Sequence, residues 1–369
     1  MGAPLLSLSQ RVRPTPFSRR VESAGAKAYT TYNHMRLPSM FESVEADYHH
    51  LKRHVQVWDV ACERQVEIAG PEAARLVRML TPRSLAKAEV GQCLYTPMVD
   101  ETGGMLNDPV TVMLAEDRYW VSIADSDLLF WVKGLAYGTG LDVNVFEPDV
   151  SPLGIQGPKA DDLMARVFGE AVRGIKFFRF EKLAFGGHDF VIARSGYSKQ
   201  GGFEIYVDGS DRGEPLWDAL MAAGEDLEVR AGCPNLIERI EAGLLSYGSD
   251  MTRENTPHEC GLGRFCRTVE AVDCVGRDAL IAMLKDGPAR QIRSLSIEGE
   301  PVPACTEWWD VTVDGEPAGR VASAVWSPDF QCNVALGMIE RAHWEPGTQV
   351  TVEAPDGGRS AEIRDGSFI

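Results

Sequence analysis

The sequence predicts an α+β fold, in which two related α+β units are followed by a small domain of β-strands. Three observations support this prediction. A strand–Gly-Pro–helix pattern occurs twice, at 66–80 and 153–168. Three strand-like runs and another helix follow each copy, and from about residue 290 only short strand-like runs remain. With 369 residues, 44% of them hydrophobic, the chain is long enough to bury several cores.

The two copies of the repeat read "VEIAGPEAARLVRML" and "LGIQGPKADDLMARVF". Pro71 and Pro158 fall at the start of a predicted helix, where proline is tolerated because no partner is needed for its missing amide hydrogen. Apolar residues then recur at helical spacing. We therefore expect each copy to place an amphipathic helix directly after a strand.

The segments after each copy complete two similar units. The first copy is followed by "CLYTPMVD", "GMLNDPVTVML" and "RYWVSIA", then by the helix "SDLLFWVKGLAYG". The second is followed by "IKFFRFEKLAF", "HDFVIARSGY" and "GGFEIYVD", then by the helix-like "EPLWDALMAAG". Runs of strands followed by helices indicate antiparallel sheets backed by helices rather than a doubly wound sheet.

A further helix is predicted over 235–248, because its apolar residues fall along one stripe. These residues are Leu236, Ile240, Leu244 and Tyr247.

The stretch "MLKDGPARQ" (283–291) is predicted to be a linker. Beyond it, six short runs predict a small β-barrel or sandwich: "QIRSLSIEG", "WWDVTVDG", "PAGRVASAVW", "NVALGMI", "TQVTVEA" and "SAEIRD". The predicted domains are therefore residues 1–285, with both related units, and residues 286–369.

Composition and charge narrow the class of protein. A formal net charge of −17 argues against a nucleic-acid or anionic-membrane partner, because such partners need a basic face. The first residues, "MGAPLLSLSQ", show no cleavage-site pattern, and no run approaches eighteen apolar residues, so we expect a soluble, cytoplasmic protein. The eight cysteines form no CxxC pair, which indicates reduced thiols with structural roles.

No metal site is predicted. His50 and His54 lie one helical turn apart, but no third ligand follows at a recognised spacing, so a solvated helix face is the favoured interpretation.

The stretch "ARSGYSKQGGFEIYV" (193–207) resembles a phosphate-binding loop only in its glycines. Such a loop needs a helix directly after it, whereas apolar and polar residues alternate here as in a strand, so a β-hairpin is predicted. If the loop has an even number of residues, Tyr197 returns on the same sheet face as Glu204 and Tyr206. From spacing alone, a solvated outer face is the favoured interpretation of these residues.

The stretch "DETGGMLNDPV" (100–110) also combines a Gly-Gly turn with a strand, and it carries Asp108 before a proline. A carboxylate in this position caps a turn as readily as it serves a site, so both interpretations stay open. No serine elbow, Walker loop or dinucleotide fingerprint occurs. The residues alone indicate a multidomain α+β protein that could act on a small molecule.

Taken in order, five blocks resemble the glycine-cleavage T-protein family of folate-dependent aminomethyltransferases and demethylases, over nearly the whole chain. They are "GGMLND", "SGYSKQGGFEIY", "IERIEAGLLSYGSD", "TPHECGLG" and "WSPDFQCNVALGMI". Within the family, the blocks "YNHMRLP", "HVQVWDVACERQVEI", "GYSKQGG" and "AGCPNLIERIE" resemble the branch of dimethylsulfoniopropionate demethylases.

This resemblance implies two related α+β units with a folate site at their centre, and a C-terminal β-barrel. The implied reaction passes a methyl group from the sulfonium of dimethylsulfoniopropionate to N5 of tetrahydrofolate, giving methylmercaptopropionate and 5-methyltetrahydrofolate. Asp108 matches the acidic residue near N5 and is the implied catalytic residue. The implied folate-binding residues are Tyr95, Asp108, Tyr197, Glu204 and Tyr247.

Aromatic rings are expected to hold the sulfonium by cation–π attraction, and the candidates are Tyr32, Tyr197 and Tyr206. Lys199 and Arg194 lie nearby in sequence, but the residue that binds the donor's carboxylate is left open. The expected partners are the sulfonium and folate, and a homo-oligomer is not ruled out.

Two departures from the family bear on the activity. The chain reads "DVACE" at 59–63, with Cys62 where aminomethyltransferases carry a histidine, and it has Tyr197 where the demethylases usually carry tryptophan. Two alternatives are kept: an aminomethyltransferase or N-demethylase acting on glycine-derived amines, and a folate-binding accessory protein. Relatives of the accessory kind carry a "KGCYxGQ"-like motif, which does not occur in this sequence.

Overall fold

A computed structural model describes residues 9–267 and 269–369 of the chain. Most of the amino-terminal segment "MGAPLLSLSQ", on which the prediction about targeting depends, lies outside these residues. No helix within the described ranges is both long and apolar enough to cross a bilayer.

The strands of the chain are, in order, β1 (Ala28–Tyr32), β2 (Met35–Met40), β3 (Gln56–Asp59), β4 (Gln65–Ala69), β5 (Cys93–Tyr95), β6 (Met98–Val99), β7 (Met105–Asn107), β8 (Val110–Ala115), β9 (Arg118–Ser122), β10 (Asn144–Phe146), β11 (Val150–Gln156), β12 (Phe180–Phe185), β13 (His188–Ala193), β14 (Gly202–Asp208), β15 (Arg230–Gly232), β16 (Arg290–Ile297), β17 (Trp309–Val313), β18 (Glu316–Ser327), β19 (Cys332–Glu340), β20 (Gln349–Ala354) and β21 (Gly357–Ile363).

The α-helices are α1 (Ser18–Ser23), α2 (Val44–Arg53), α3 (Ala73–Leu80), α4 (Leu128–Thr139), α5 (Ala160–Phe168), α6 (Gly213–Ala223), α7 (Leu236–Glu241) and α8 (Arg277–Asp286). Short 3-10 helices lie at Glu170–Gly174, Ser210–Arg212, Glu225–Leu227, Gly263–Phe265 and Val269–Ala271.

The chain divides into two compact units. The first comprises Met1–Gln65, Pro148–Gly196 and Gln200–Pro234, and the second comprises Val66–Glu147, Tyr197–Lys199 and Asn235–Ile369. The C-terminal strands thus share a compact unit with the first copy of the repeat. The domain bounds 1–285 and 286–369 stay a prediction.

The first unit contains a six-stranded sheet in the order β12-β13-β14-β11-β3-β15. Its pairs are antiparallel except β15 with β3, which is parallel. One face of the sheet is apolar and packs with α5 and α6 around Ile155, Phe203, Ile205, Leu216 and Trp217. This is the predicted antiparallel sheet backed by helices.

The second unit contains a five-stranded sheet in the order β10-β4-β9-β8-β5, a small β6-β7 ladder and a closed barrel. The barrel runs β16-β19-β18-β17-β20-β21 and buries a core that includes Leu295, Val311 and Ile339. All six strand-like runs predicted after residue 290 form this barrel. The predicted fold class, with a barrel rather than a sandwich, is confirmed.

Both copies of the repeat adopt the predicted strand–turn–helix, and each depends on its glycine. Gly70 has φ +130° and Gly157 has φ +124°, in the region that favours glycine. A Cβ on Gly70 would lie 2.7 Å from the Asp142 carbonyl oxygen, and one on Gly157 would lie 2.3 Å from the His54 carbonyl oxygen. A side chain is therefore excluded at both glycines, and the backbone approach is closer at Gly157.

The helix predicted over 235–248 is wrong in length, because α7 ends at Glu241. Gly243 takes φ +66°, and the Leu244 amide donates to the Arg239 carbonyl at 2.8 Å, which is a Schellman-type end. The predicted linker is also shorter than 283–291, because α8 continues to Asp286.

The hairpin over 193–207 is confirmed, with β13 ending at Ala193 and β14 beginning at Gly202. Residues 194–201 form the connecting loop, so Tyr197 lies outside the sheet and not on the sheet face of Glu204 and Tyr206. The loop is held at both ends by Gln156, whose Nε2 donates to the carbonyls of Ser195 at 3.2 Å and Phe203 at 3.3 Å. This side-chain clamp joins the two ends of the loop.

Candidate functional site

Asp108 lies between β7 and β8, where its side chain contacts the end of β5. The Tyr95 hydroxyl donates to Oδ2 of Asp108 at 2.7 Å. Oδ1 is shut off from solvent and has no hydrogen-bond partner among the described residues. The neighbouring Gly-Gly turn is capped by Asp100 instead, which accepts from the amides of Thr102 and Gly104. Asp108 is therefore not the turn cap.

Burial sets the protonation of this pair. It raises the pKa of Asp108 from 3.8 to about 7, while the hydrogen bond from Tyr95 opposes the rise. Burial, together with the Asp108 charge, raises the pKa of Tyr95 well above its usual range. Tyr95 therefore stays a hydrogen-bond donor, and Asp108 can gain or lose a proton near neutral pH.

Two further predicted folate residues are anchored in the same unit. The Tyr247 hydroxyl donates to the Met105 carbonyl at 2.8 Å, three residues before Asp108. Burial, with the nearby Asp108 charge, raises the pKa of Tyr247 to about 12. The Tyr197 hydroxyl donates to the Leu245 carbonyl at 2.8 Å. These contacts connect Tyr95, Asp108, Tyr197 and Tyr247 through short chain segments of the second unit.

Glu204 lies in the first unit, on the face of the six-stranded sheet opposite its apolar core. It is 8% exposed, and its Oε2 accepts a hydrogen bond from the Ser195 hydroxyl. Burial raises the pKa of Glu204, and the bond from Ser195 opposes this. Its neighbours across the sheet are Gly154 and Ala193.

The interpretation of this face as solvated is wrong. Five polar or aromatic residues lie at the centre of this sheet face, and each is 8% exposed or less: Gln56, Trp58, Gln156, Glu204 and Tyr206. The alternation of polar and apolar residues along these strands therefore marks a polar face that is buried. Such a face is costly to bury unless its groups are hydrogen-bonded, as when Trp58 Nε1 donates to Gln56 Oε1 at 2.8 Å.

The other aromatic candidates also lie in the first unit. Tyr206 is 1% exposed in the middle of β14. Tyr32 ends β1 and is half-buried, directly before a turn in which Asn33 and His34 both have positive φ. Their contact with a sulfonium stays a prediction.

The two cations considered for the donor's carboxylate have different surroundings. Arg194 forms an ion pair with Asp161 at 2.7 Å, and its guanidinium stacks 4.5 Å from the centre of the Phe203 ring. It is therefore already engaged. Lys199 is exposed, and its backbone amide, rather than its ammonium, donates to Glu238 Oε1 at 2.6 Å.

The two histidines considered as metal ligands, His50 and His54, lie in α2 and directly after it. His50 contacts the Glu228 carbonyl at 2.9 Å through Nε2, and its pKa is lowered to about 4 by burial. The prediction of a solvated helix face is therefore wrong for His50, which is 8% exposed. Across residues 9–267 and 269–369, no three His, Cys, Asp or Glu side chains are grouped so as to hold a metal ion.

Sequence reasoning missed Gln156 and a buried ion pair between Arg239 and Asp250, 2.9 Å apart. Gln156 had a visible signal, because it is the one polar side chain in the apolar run "LGIQG". Arg239 and Asp250 gave no such signal, since each lies among other polar residues in the sequence.

Comparisons with protein families and with known proteins agree on the family of this chain. The model of the GCVT N-terminal domain matches residues 17–270, and that of the glycine cleavage T-protein C-terminal barrel domain matches residues 290–369. The chain is 62% identical to dimethylsulfoniopropionate demethylase DmdA of Ruegeria pomeroyi, over 97% of this chain and 98% of that protein. It is 27% identical to an aminomethyltransferase of Lysinibacillus sphaericus, over 94% and 95% of the two chains.

The solved structure of aminomethyltransferase T from the glycine cleavage system of Bartonella henselae has the same fold. Its TM-score is 0.87 at 24% identity, over 97% of this chain and 98% of that chain. The predicted resemblance is confirmed by the two domain models, which together match most of the chain. The chain belongs to the glycine-cleavage T-protein family.

Proposed function

We propose that the protein is a tetrahydrofolate-dependent demethylase. It transfers a methyl group from the sulfonium of dimethylsulfoniopropionate to N5 of tetrahydrofolate, giving methylmercaptopropionate and 5-methyltetrahydrofolate. The choice of donor is supported by the demethylase relative at 62% identity, against 27% for an aminomethyltransferase at similar coverage. The structural observation that carries the folate chemistry is the Asp108 carboxylate, with one oxygen bound to Tyr95 and the other without a partner among the described residues.

A reduced pterin fits this observation. A buried acceptor without a partner is costly, and a pterin ring N–H is a donor that would satisfy it. We therefore assign Oδ1 of Asp108 to the pterin near N5. Tyr95 would hold the carboxylate in place, because its hydroxyl stays protonated.

Tetrahydrofolate, when bound, supplies N5 as the methyl acceptor. A sulfonium leaves as a neutral thioether, so no side chain needs to protonate the leaving group. The work of the protein is alignment, which brings reacting atoms to about 3–3.5 Å and can contribute several kcal/mol. Asp108, with a pKa of about 7, is suited to accept the proton that must leave the acceptor, at Oδ1.

Glu204 is assigned to pterin ring N–H groups, because an ionised carboxylate offers only acceptors. The Ser195 hydroxyl occupies Oε2 and so orients the group. Tyr197 and Tyr247 are assigned to the pterin as well. Because their hydroxyls are bound to the Leu245 and Met105 carbonyls, they would offer ring faces rather than hydrogen bonds.

The sulfonium is assigned to aromatic faces, where cation–π attraction contributes roughly 0.5–2 kcal/mol. Tyr32 and Tyr197 are half-buried and are stronger candidates than Tyr206, which is 1% exposed. A neutral thioether product would lose this attraction, which favours its release.

The test is incubation of the purified protein with tetrahydrofolate and a panel of donors: dimethylsulfoniopropionate, dimethylglycine, glycine betaine and sarcosine. We expect 5-methyltetrahydrofolate, identified by mass spectrometry, with dimethylsulfoniopropionate alone. No such product from this donor would refute the proposal. Methylene-tetrahydrofolate from an amine would instead favour the aminomethyltransferase alternative, which Cys62, in place of a histidine, disfavours.

The second alternative, a folate-binding accessory protein, makes a different prediction for Asp108→Ala. For an enzyme, the substitution should lower turnover by about 10²-fold or more while folate affinity changes far less. Unchanged turnover would remove the proposed role of Asp108.

We also propose that the protein is cytoplasmic and acts on small molecules, without a nucleic-acid or membrane partner. Its net charge of −17 supports the part of this proposal that concerns partners, because it disfavours polyanionic ones. Whether it forms a homo-oligomer is decided by sedimentation of the purified protein.

A further inference from the structure

A chain of buried hydrogen bonds leads from the barrel to the residues assigned to folate. Its barrel member is Ser323 in β18, which is 4% exposed. The Ser323 hydroxyl accepts from Nη2 of Arg239 at 2.6 Å and donates to Oδ1 of Asp250 at 2.6 Å. Arg239 and Asp250 are themselves buried, at 9% and 4% exposed. One hydroxyl therefore fixes both members of a buried ion pair.

The ion pair in turn fixes the turn that follows α7. Oδ2 of Asp250 accepts from Nη1 of Arg239 at 2.9 Å and from the Ser246 amide at 2.8 Å. Nη1 also reaches the Leu244 carbonyl at 3.3 Å. Residues 244–250, which follow the end of α7, are thus held by these side chains together with backbone hydrogen bonds within the turn.

This turn carries two contacts of the proposed site. The Leu245 carbonyl accepts the hydrogen bond of Tyr197, and Tyr247 reaches the Met105 carbonyl on the strand before Asp108. A displacement of the turn would therefore move the rings assigned to the pterin. All of these residues belong to the second unit.

A β-bulge explains why Ser323 faces α7. The register of β18 against β19 shifts between Val321 and Ser323, so Ala322 is an extra residue. Val321 and Ala324 both belong to the barrel core although they are three positions apart, which regular alternation forbids. The bulge thus turns Ser323 and Ser327 away from the barrel core and toward α7, which packs on β18 and β19.

We propose that Ser323 is a positioning residue for the methyl transfer, through which the barrel holds the turn that carries Tyr247 and binds Tyr197. This inference depends on the proposed function. It makes the barrel part of the apparatus that aligns folate, although the barrel supplies none of the residues assigned to contact it.

The same strand provides a matched control. Ser327 lies on the same face, is 0% exposed, and donates to Oε1 of the buried Glu241 at 2.6 Å. The Glu241 carbonyl accepts from the amides of Phe368 and Ile369. Ser327→Ala therefore removes a similar bond between the barrel and α7 without removing a bond of the Arg239–Asp250 ion pair.

The experiment compares Ser323→Ala and Ser327→Ala in the full chain by thermal unfolding, tetrahydrofolate titration without donor, and steady-state kinetics. Both variants should lose similar stability. Only Ser323→Ala should weaken folate binding or lower kcat, by about tenfold, because misplaced binding groups lose alignment. Ser323→Thr, which keeps a hydroxyl, should restore folate affinity to within about threefold of the wild type.

Hydrogen exchange adds a local readout, since amides of 244–250 should exchange faster in Ser323→Ala but not in Ser327→Ala. If Ser323→Ala does not fold, Ser323→Cys replaces it, because a thiol keeps the volume but is a poor hydrogen-bond partner. Equal folate affinity and turnover in the two variants would overturn the inference alone. A wild type that binds no tetrahydrofolate would overturn the proposed function and this inference with it.

Discussion

The Tyr95 hydroxyl donates to Oδ2 of Asp108 at 2.7 Å, and Oδ1 of the same carboxylate is buried without a partner among the described residues. One oxygen is thus bound within the protein, and the other is the one that we assign to the pterin. In the proposed reaction, Oδ2 holds the carboxylate in place and Oδ1 accepts the proton.

The first prediction concerns pH. Because the acceptor form of Asp108 is the carboxylate, and burial raises its pKa to about 7, kcat/KM should fall as the pH drops below 7. The Tyr95 hydrogen bond stabilises the carboxylate, so Tyr95→Phe should raise this pKa and move the midpoint of the profile upward, by about one pH unit. A downward or absent shift would contradict the assignment.

The control for this measurement is Tyr119→Phe. Tyr119 also lies in the second unit, and its hydroxyl donates to the Glu116 carbonyl at 3.0 Å, with no contact to Asp108. The midpoint of the pH profile of kcat/KM for Tyr119→Phe should stay at the wild-type value.

The second prediction concerns stability. The pKa of Asp108 is about 7 in the folded protein and near its ordinary 3.8 in the unfolded chain, so between these values the folded state holds a proton that the unfolded state releases. Stability therefore falls as the pH rises from about 4 to 7. Asp108→Asn lacks this penalty and should be more stable than the wild type at pH 8, by about 1–3 kcal/mol.

Urea unfolding at pH 8 and pH 5 measures this difference, which should shrink at the lower pH. Asp189→Asn, at an exposed carboxylate, serves as the control and should change stability little at either pH. A destabilised Asp108→Asn variant at pH 8 would show that the carboxylate is not buried at a cost.

The third prediction concerns Tyr197. Tyr197→Ala should lose most demethylation, because the ring is removed, whereas Tyr197→Trp should keep it. Tyr197→Phe keeps the ring but loses the hydrogen bond to Leu245, so it should show an intermediate loss, of about 1 kcal/mol in kcat/KM. Initial rates of 5-methyltetrahydrofolate formation measure all three. Tyr137→Ala, at a ring that is 92% exposed, should be unimpaired, and an equally active Tyr197→Ala would show that this ring is outside the site.

The fourth prediction concerns two adjacent glycines, Gly201 and Gly202, at the point where the loop after β13 joins β14. A Cβ on Gly202 would lie 2.1 Å from the Ile155 carbonyl oxygen, whereas one on Gly201 would meet nothing within 4 Å. Both have positive φ, so both alanine variants carry backbone strain, of roughly 1–2 kcal/mol. Gly202→Ala should be clearly less stable than Gly201→Ala in thermal unfolding. Equal melting temperatures would mean that the Ile155 backbone yields without cost.

Local patterns predicted most of the fold. The Gly-Pro helix starts and the alternation of the barrel strands were visible because period and turn chemistry act over a few residues. The stripe over 235–248 misled because Gly243 ends the helix after Glu241, while Leu236 is 38% exposed. The helical spacing of apolar residues therefore did not extend the helix past a glycine in the left-handed region.

The site was predicted in part and for a different reason. Asp108, Tyr95, Tyr197, Tyr247 and Glu204 were identified by family resemblance, and their roles stay predictions. Their contacts were not visible, since Tyr197 bonds a carbonyl 48 positions away and Ser323 reaches an aspartate 73 positions away. Long-range pairs of this kind leave no periodic signal in one sequence.

The bulge at Ala322 is a point where β18 can change its length. Before this extra residue, the strand alternates in one register against β19. After it, the register is shifted by one, and Ser323 and Ser327 face away from the barrel core. Loss of Ala322, or gain of one residue beside it, would give Val321 and Ala324 an even spacing, so that regular alternation keeps both hydroxyls outside the barrel core. A change of one residue at the bulge should therefore be tolerated during divergence, whereas one elsewhere in this strand would turn side chains to the wrong face.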